Sequence, residues 1–258
     1  MICKLCQKDK ELSKSHIIPK AFFMHLYSER NDKPLMMIGE NRFPKRRPIG
    51  SYEKLLCKDC EQKLGVYDNY AQDLLLKKSL DFFPNTDLAY IIPHFDYFVL
   101  KSFFISLLWR ASITKLEEFK LIDAGPYEFR LRDLIISDSV GGKDEFSIFI
   151  TKFDSKNEKN KYISEKSILF PAKQRIDNAL NYSVFYLSSG YKVYIKVDKR
   201  NTDELFIKLI LKDAMPMVIL RMDNFEDSPE YRILLNIAKN NRELGHFFKS
   251  GQPVGNSP

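Results

Sequence analysis

Three features of this 258-residue sequence predict an α+β fold. Two CxxC pairs, Cys3-Lys-Leu-Cys6 and Cys57-Lys-Asp-Cys60, bracket the first 60 residues and hold all four cysteines of the chain. The run from Phe98 to Ile113 is apolar almost all round, the mark of a helix buried on most of its surface. Later segments rich in Ile, Val, Phe and Tyr, several of them alternating, are separated by Asn, Asp, Gly and Lys, the pattern of a mostly antiparallel sheet. The predicted layout is a small cysteine-stapled module over residues 1–76 and an α+β domain over 77–249. A polar, Gly/Pro-containing tail over 250–258 is expected to be disordered.

Two thiolate pairs at this spacing are the ligand set of a zinc ion, here Cys3, Cys6, Cys57 and Cys60. Four thiolates leave no open position on the metal, so such a zinc is structural and takes no part in catalysis. Thiols used this way suit a reducing compartment. The start Met-Ile-Cys-Lys lacks the charged-then-apolar pattern of a secretory signal, and Lys101 and Arg110 interrupt the most apolar run. A soluble, cytoplasmic protein with no membrane contact is expected.

In chain order, Cys3 to Cys6 should form a tight knuckle and Gln7 to Lys14 a hairpin returning to the metal. His16 follows, and the β-branched Ile17 and Ile18 predict a short buried strand that Pro19, lacking an N–H, brings to an end. Lys20 to Leu26 has a short helical pattern. From Tyr27 to Gly50 the chain reads as a loop around one strand at Leu35 to Ile38, and it carries a basic cluster of Arg42, Lys45, Arg46 and Arg47 between two prolines. With Lys20, these are the candidate phosphate contacts.

After the second cysteine pair, Leu64, Tyr67, Ala71, Leu74 and Leu75 recur at helical spacing, which places Glu61 on the first turns of that helix beside Cys60. In the apolar helix, Trp109 is expected in the core and Arg110 to snorkel. Pro126 suits the first position of a helix running to Ile136. Strands are predicted at Phe146–Phe153, Tyr162–Phe170, Tyr182–Leu187 and Lys192–Val197. A strand or helix is expected at Leu205–Leu211, and a last helix at Pro229–Arg242. His25, His94 and His246 carry no motif.

Charge is unevenly spread. Residues 1–65 hold 14 Lys or Arg against 8 Asp or Glu, and the rest of the chain 27 against 26. A positive field concentrated on the module is the footprint of a polyanionic partner, although a merely solubilising surface has the same composition.

The order CxxC, His16-Ile-Ile-Pro19, Leu56-Cys57-Lys-Asp-Cys60 and a following helix resembles the zinc-containing branch of the HNH, or His-Me finger, endonucleases over about residues 1–70. The resemblance implies a treble-clef-like ββα-metal module. In it, His16 would be the general base that activates water, and Glu61 the ligand of a catalytic Mg²⁺ or Mn²⁺ on the scissile phosphate. It implies nucleic acid as substrate, DNA before RNA, and, from similar bacterial chains in phage-defence neighbourhoods, a defence role. Two positions depart from the family pattern. Ser15 stands where many members carry a second metal ligand, Asp or His, and Tyr52 where an Asn usually orients the His. Asp59 or Glu53 could supply a ligand in place of Ser15; Asp68, two turns from Glu61, is too far along the helix to share its ion.

Two further readings stand beside the nuclease. One is a catalytically degenerate zinc module that binds nucleic acid or a protein, which Ser15 and Tyr52 favour. The other is a subunit whose larger domain is the functional part; in the nuclease reading that domain sets substrate choice, formation of a homodimer or attachment to a regulatory protein subunit.

Overall fold

The computed structural model describes residues 1–24, 50–78, 80, 83, 85–154, 164–165, 168–176, 179–202 and 204–239. The expected strand at 35–38, the basic cluster Arg42, Lys45, Arg46 and Arg47, His25, His246 and the tail lie outside these residues. The described chain is mixed α and β, as its patterning predicts.

At the N-terminus, β1 (Leu12–His16) pairs antiparallel with β2 (Tyr52–Cys57), with an irregularity between Ser13 and Lys14. The strand therefore precedes Ile17 and Ile18 and does not contain them. These two residues are fully buried core beyond its end, because Pro19 cannot extend the ladder. The short α1 (Lys20–Met24) follows, burying Phe22 and Phe23.

Helix α2 (Lys58–Gln72) leaves β2 directly, with Cys57 as its N-cap residue, and continues into a π-helical turn over Asp73–Lys77. Its buried side comprises Cys60, Leu64, Tyr67 and Ala71, followed by Leu74 and Leu75, as the 3.6-residue spacing requires.

Helix α3 (Tyr97–Ile113) begins where Asp96 Oδ1 accepts from Val99 N at 2.9 Å, a side-chain N-cap. Every residue from Leu100 to Ala111 is buried, and α3 packs against both α2 and α4 (Glu128–Ile136). Burial on all sides takes in even Lys101, which donates to Gly142 O at 2.9 Å and to Tyr97 Oη at 3.2 Å. Desolvation pushes the Lys101 ammonium down to about 8. Helix α4 follows a 3₁₀ turn over Gly125–Tyr127 that carries Pro126.

A six-stranded sheet has the order β3-β8-β4-β7-β6-β5. It is built from β3 (Ala89–Ile92), β4 (Ile148–Phe153), β5 (Ala172–Ile176), β6 (Leu180–Leu187), β7 (Tyr191–Lys196) and β8 (Met217–Met222). All neighbours are antiparallel except β4 and β8, so the sheet is mostly antiparallel. Strand β8 lies between β3 and β4.

Both faces are covered. Ile148, Ile150, Val193, Ile195 and Ile219 face the core that also contains α3 and reaches Cys3, Leu12 and Ile17 of the N-terminal module. On the other face, Phe149, Phe153, Tyr182 and Tyr194 pack with Phe225 and with Leu234 of α6 (Pro229–Lys239). There Lys192 and Glu230, both almost wholly buried, pair at 2.7 Å.

The sheet domain differs from the expected segments in detail. Of the strand expected at Tyr162–Phe170, residues 162–163 and 166–167 lie outside the described residues and 164–165 are helical; the strand Ala172–Ile176, whose polar edge residues hide its period, was not expected. Leu205–Leu211 takes the helical alternative, and only as the short α5 (Glu204–Ile207). Strands β3 and β8 were not anticipated. Among the described residues, no helix is long and apolar enough to cross a membrane.

Candidate functional site

The hairpin and α2 bring the two cysteine pairs together. The sulfurs of Cys3, Cys6, Cys57 and Cys60 all lie within 4.8 Å of one another, with Cys6 and Cys57 at 3.9 Å. A tetrahedral zinc with bonds of about 2.3 Å sets its sulfurs roughly 3.8 Å apart, so the cluster fits a metal ion of that size. Cys57 N donates to Cys3 Sγ at 3.3 Å, the amide-to-sulfur bond of a knuckle. Burial, then hydrogen bonds from the neighbouring thiols, pushes the Cys60 thiol far up.

His16 is the last residue of β1 and half-buried; its ring lies against that of Tyr52, its cross-strand partner, with centroids 5.7 Å apart. Tyr52 thus stands beside the histidine. On the adjacent pair of positions, Lys14 and Lys54 are directly opposed and both exposed, and Lys14 Nζ sits 5.1 Å from the Tyr52 ring centre. Like charges directly opposite across a ladder are unfavourable, and among the described residues neither lysine has an ion-pair partner.

Ser15, the residue before His16 in β1, is fully buried. Its hydroxyl accepts from Leu56 N at 3.1 Å and hydrogen-bonds the Glu61 carboxyl. Glu61 is half-buried, and its Oε1 is enclosed with no hydrogen-bond partner. Burial raises its carboxyl above the ordinary carboxylate range, partly offset by the Ser15 bond and the charge of Arg110. A carboxylate oxygen left bare in this way suits a divalent cation.

The two candidate substitute ligands have other partners. Asp59 pairs with Lys10 at 2.5 Å on the surface. Glu53 Oε2 accepts from Thr114 Oγ1 at 2.6 Å and from Lys115 N at 2.9 Å. Asp68 is likewise committed, to Arg110. Lys20, at the start of α1, is exposed.

Arg110 departs most from its expected role. It does not snorkel: its side chain is 2% exposed and pairs with Asp68 of α2 through Nη2–Oδ1 at 2.7 Å and Nη1–Oδ2 at 3.0 Å. Nη1 also donates to the main-chain oxygen of His16 at 3.0 Å. Sequence reading missed this contact, because its partners lie 42 and 94 residues away; a lone Arg inside an almost wholly apolar helix was the available signal.

No family model, no curated protein and no solved structure matches the chain.

Proposed function

We propose that this chain is a metal-dependent endonuclease of the HNH, ββα-metal type, hydrolysing phosphodiester bonds of nucleic acid, DNA before RNA. The observation that carries the reading is the bare, enclosed Oε1 of Glu61 on a helix that the cysteine cluster anchors, next to the strand that ends in His16. In this reading His16, as neutral imidazole, accepts the proton of the attacking water. Glu61 holds Mg²⁺ or Mn²⁺. When bound, that ion supplies charge stabilisation to the phosphate and the leaving oxygen. The zinc on Cys3, Cys6, Cys57 and Cys60 holds the hairpin to the helix and stays out of the reaction.

Polyanion binding draws support from the outer face of the hairpin. Lys14 and Lys54 flank Tyr52 and His16, and their mutual repulsion is relieved when phosphates lie between them. An aromatic ring among cations also offers a base a surface to stack on.

A second reading, a module that binds nucleic acid without cutting it, is favoured by Ser15. At the position where a second ligand would stand, a buried hydroxyl donates to Glu61 and supplies no negative charge.

Cleavage of supercoiled plasmid, linear DNA and single-stranded RNA with Mg²⁺ or Mn²⁺ decides between them. His16→Ala and Glu61→Ala are compared with the wild type at matched zinc content. Cutting that depends on the metal and is lost in both variants is expected. Binding without cutting on every substrate makes the second reading the correct one, and cutting that survives His16→Ala sinks the assignment of the base.

A further inference from the structure

We infer that the C-terminal end of α3, centred on Arg110, is a positioning clamp for His16, supplied by a helix outside the zinc-stapled hairpin. The consequence for catalysis rests on the nuclease reading; the clamp itself rests on contacts alone.

Arg110 is spent entirely on this junction. A guanidinium has five N–H donors, and here each has an acceptor. Nε donates to Ser106 O at 3.3 Å, Nη1 to His16 O and Asp68 Oδ2 at 3.0 Å each, and Nη2 to Asp68 Oδ1 at 2.7 Å and Ser106 Oγ at 3.4 Å. The fork spans the strand end and α2 at once, with a planar bidentate grip on Asp68 that the ammonium of a lysine cannot reproduce.

The peptide group that follows His16 is held at both of its polar atoms. Its oxygen takes Arg110, and its N–H, on Ile17, donates to Ser51 O at 3.1 Å. With Ile17 and Ile18 fully buried behind it, the backbone has no freedom to turn the imidazole.

The same stretch of chain grips the facing strand. Thr114 Oγ1 and Lys115 N both bond Glu53 Oε2, and Ser51 Oγ donates to Glu118 Oε1 at 2.5 Å in a buried contact. Residues 110–118 thus hold both strands at the end of the hairpin away from the cysteines, where His16 sits.

A hairpin stapled by metal at one end only would fray at the other, since the ladder stops at His16. Strand ends open at little cost in free energy. The clamp closes that end. Tyr52 stands opposite His16 in the ladder, and Arg110 adds a contact to the main chain from another helix.

The test uses the full-length, zinc-loaded protein and the variants Arg110→Lys, Arg110→Gln and Asp68→Asn, with the His16 ring signal read by NMR on ¹³C-histidine-labelled samples and assigned with His16→Gln. The expected result is one zinc per chain throughout and a His16 signal that shifts or doubles in both Arg110 variants. Asp68→Asn, which leaves the arginine in place, shifts it less and in the same direction. Cleavage in Arg110→Lys falls about 100-fold in kcat, the order expected when a reacting group is misplaced by about 1 Å, with KM changed less than about threefold.

A His16 signal unmoved in zinc-loaded Arg110→Lys overturns the clamp, whatever cleavage does. If both Arg110 variants lose zinc, Asp68→Asn decides by the same signal. Should the signal move while the wild type cuts nothing, the clamp stands and the nuclease reading falls; should the wild type cut and Arg110→Lys match it with an unmoved signal, the reverse holds.

Discussion

Glu61→Gln separates a ligand from a structural carboxylate by the sign of two effects. In the folded chain the Glu61 carboxylate is partly desolvated and its Oε1 has no partner. An unsatisfied buried polar atom costs about 1–3 kcal/mol, more when charged. Glutamine preserves the shape and an acceptor for Ser15 while removing the charge. Without added divalent cation, the variant should therefore be more stable than the wild type by about 1 kcal/mol, or roughly 2–4 °C in Tm for a chain of this size.

A cation bound only by the folded state adds about 2.7 kcal/mol at one hundred times its Kd, and only the wild type has the carboxylate to bind it. The order of stabilities should then invert when Mg²⁺ or Mn²⁺ is added. The assay is thermal unfolding of zinc-loaded protein across a Mn²⁺ titration, with zinc content measured before and after. Equal Mn²⁺ shifts in the two proteins, or a variant less stable than the wild type even without Mn²⁺, would refute the reasoning and make Glu61 an ordinary structural residue.

Two further outcomes test the frame around the site. Cys57→Ser removes one of the four clustered sulfurs, so zinc released to a colorimetric chelator should fall from one per chain to near none, and proteolysis should then cut first within residues 1–60. For Lys101 the sign follows from a folded value of about 8 against 10.5 unfolded: between those pH values the folded state gives up its proton first, and stability rises with pH by up to about 3 kcal/mol. Urea unfolding at pH 7.5 and pH 10 should show that rise in the wild type, and a smaller one in Lys101→Met.

Much of the frame was legible because it rests on short-range rules. The cysteine spacing foretold the cluster, the 3.6-residue pattern of Leu64, Tyr67, Ala71 and Leu74 foretold which side of α2 is buried, and the unbroken apolar run foretold α3. Strands β4, β6 and β7 were found as apolar segments, although burial on both faces removes strict alternation. Strand β5, Ala-Lys-Gln-Arg-Ile, was missed because an edge strand needs few apolar residues. Strand β8 begins just after Pro216, and its short run Met-Val-Ile-Leu-Arg-Met carries no alternation that would set it apart. What sequence could not yield was partnership at a distance. Arg110 meets His16 and Asp68 only once α3 is packed against α2, and the commitment of Glu53 to Thr114 and Lys115 arises from the same packing.

The place of β8 in the sheet has a consequence for how the chain is made. Strands β3 and β4 are never neighbours; the slot between them is filled by residues 217–222. A ribosome-bound chain has both zinc-ligand pairs outside the exit tunnel early, and the cysteine cluster can close on its metal while the sheet is still in two parts. Until β8 emerges, one edge of β3 and one edge of β4 stay open to pairing with any other nascent chain. Closing them requires a parallel pairing across more than 60 residues of sequence, a slow step by its contact order. Release of the chain short of residue 222 should therefore give a product that holds zinc yet aggregates through its unfilled sheet.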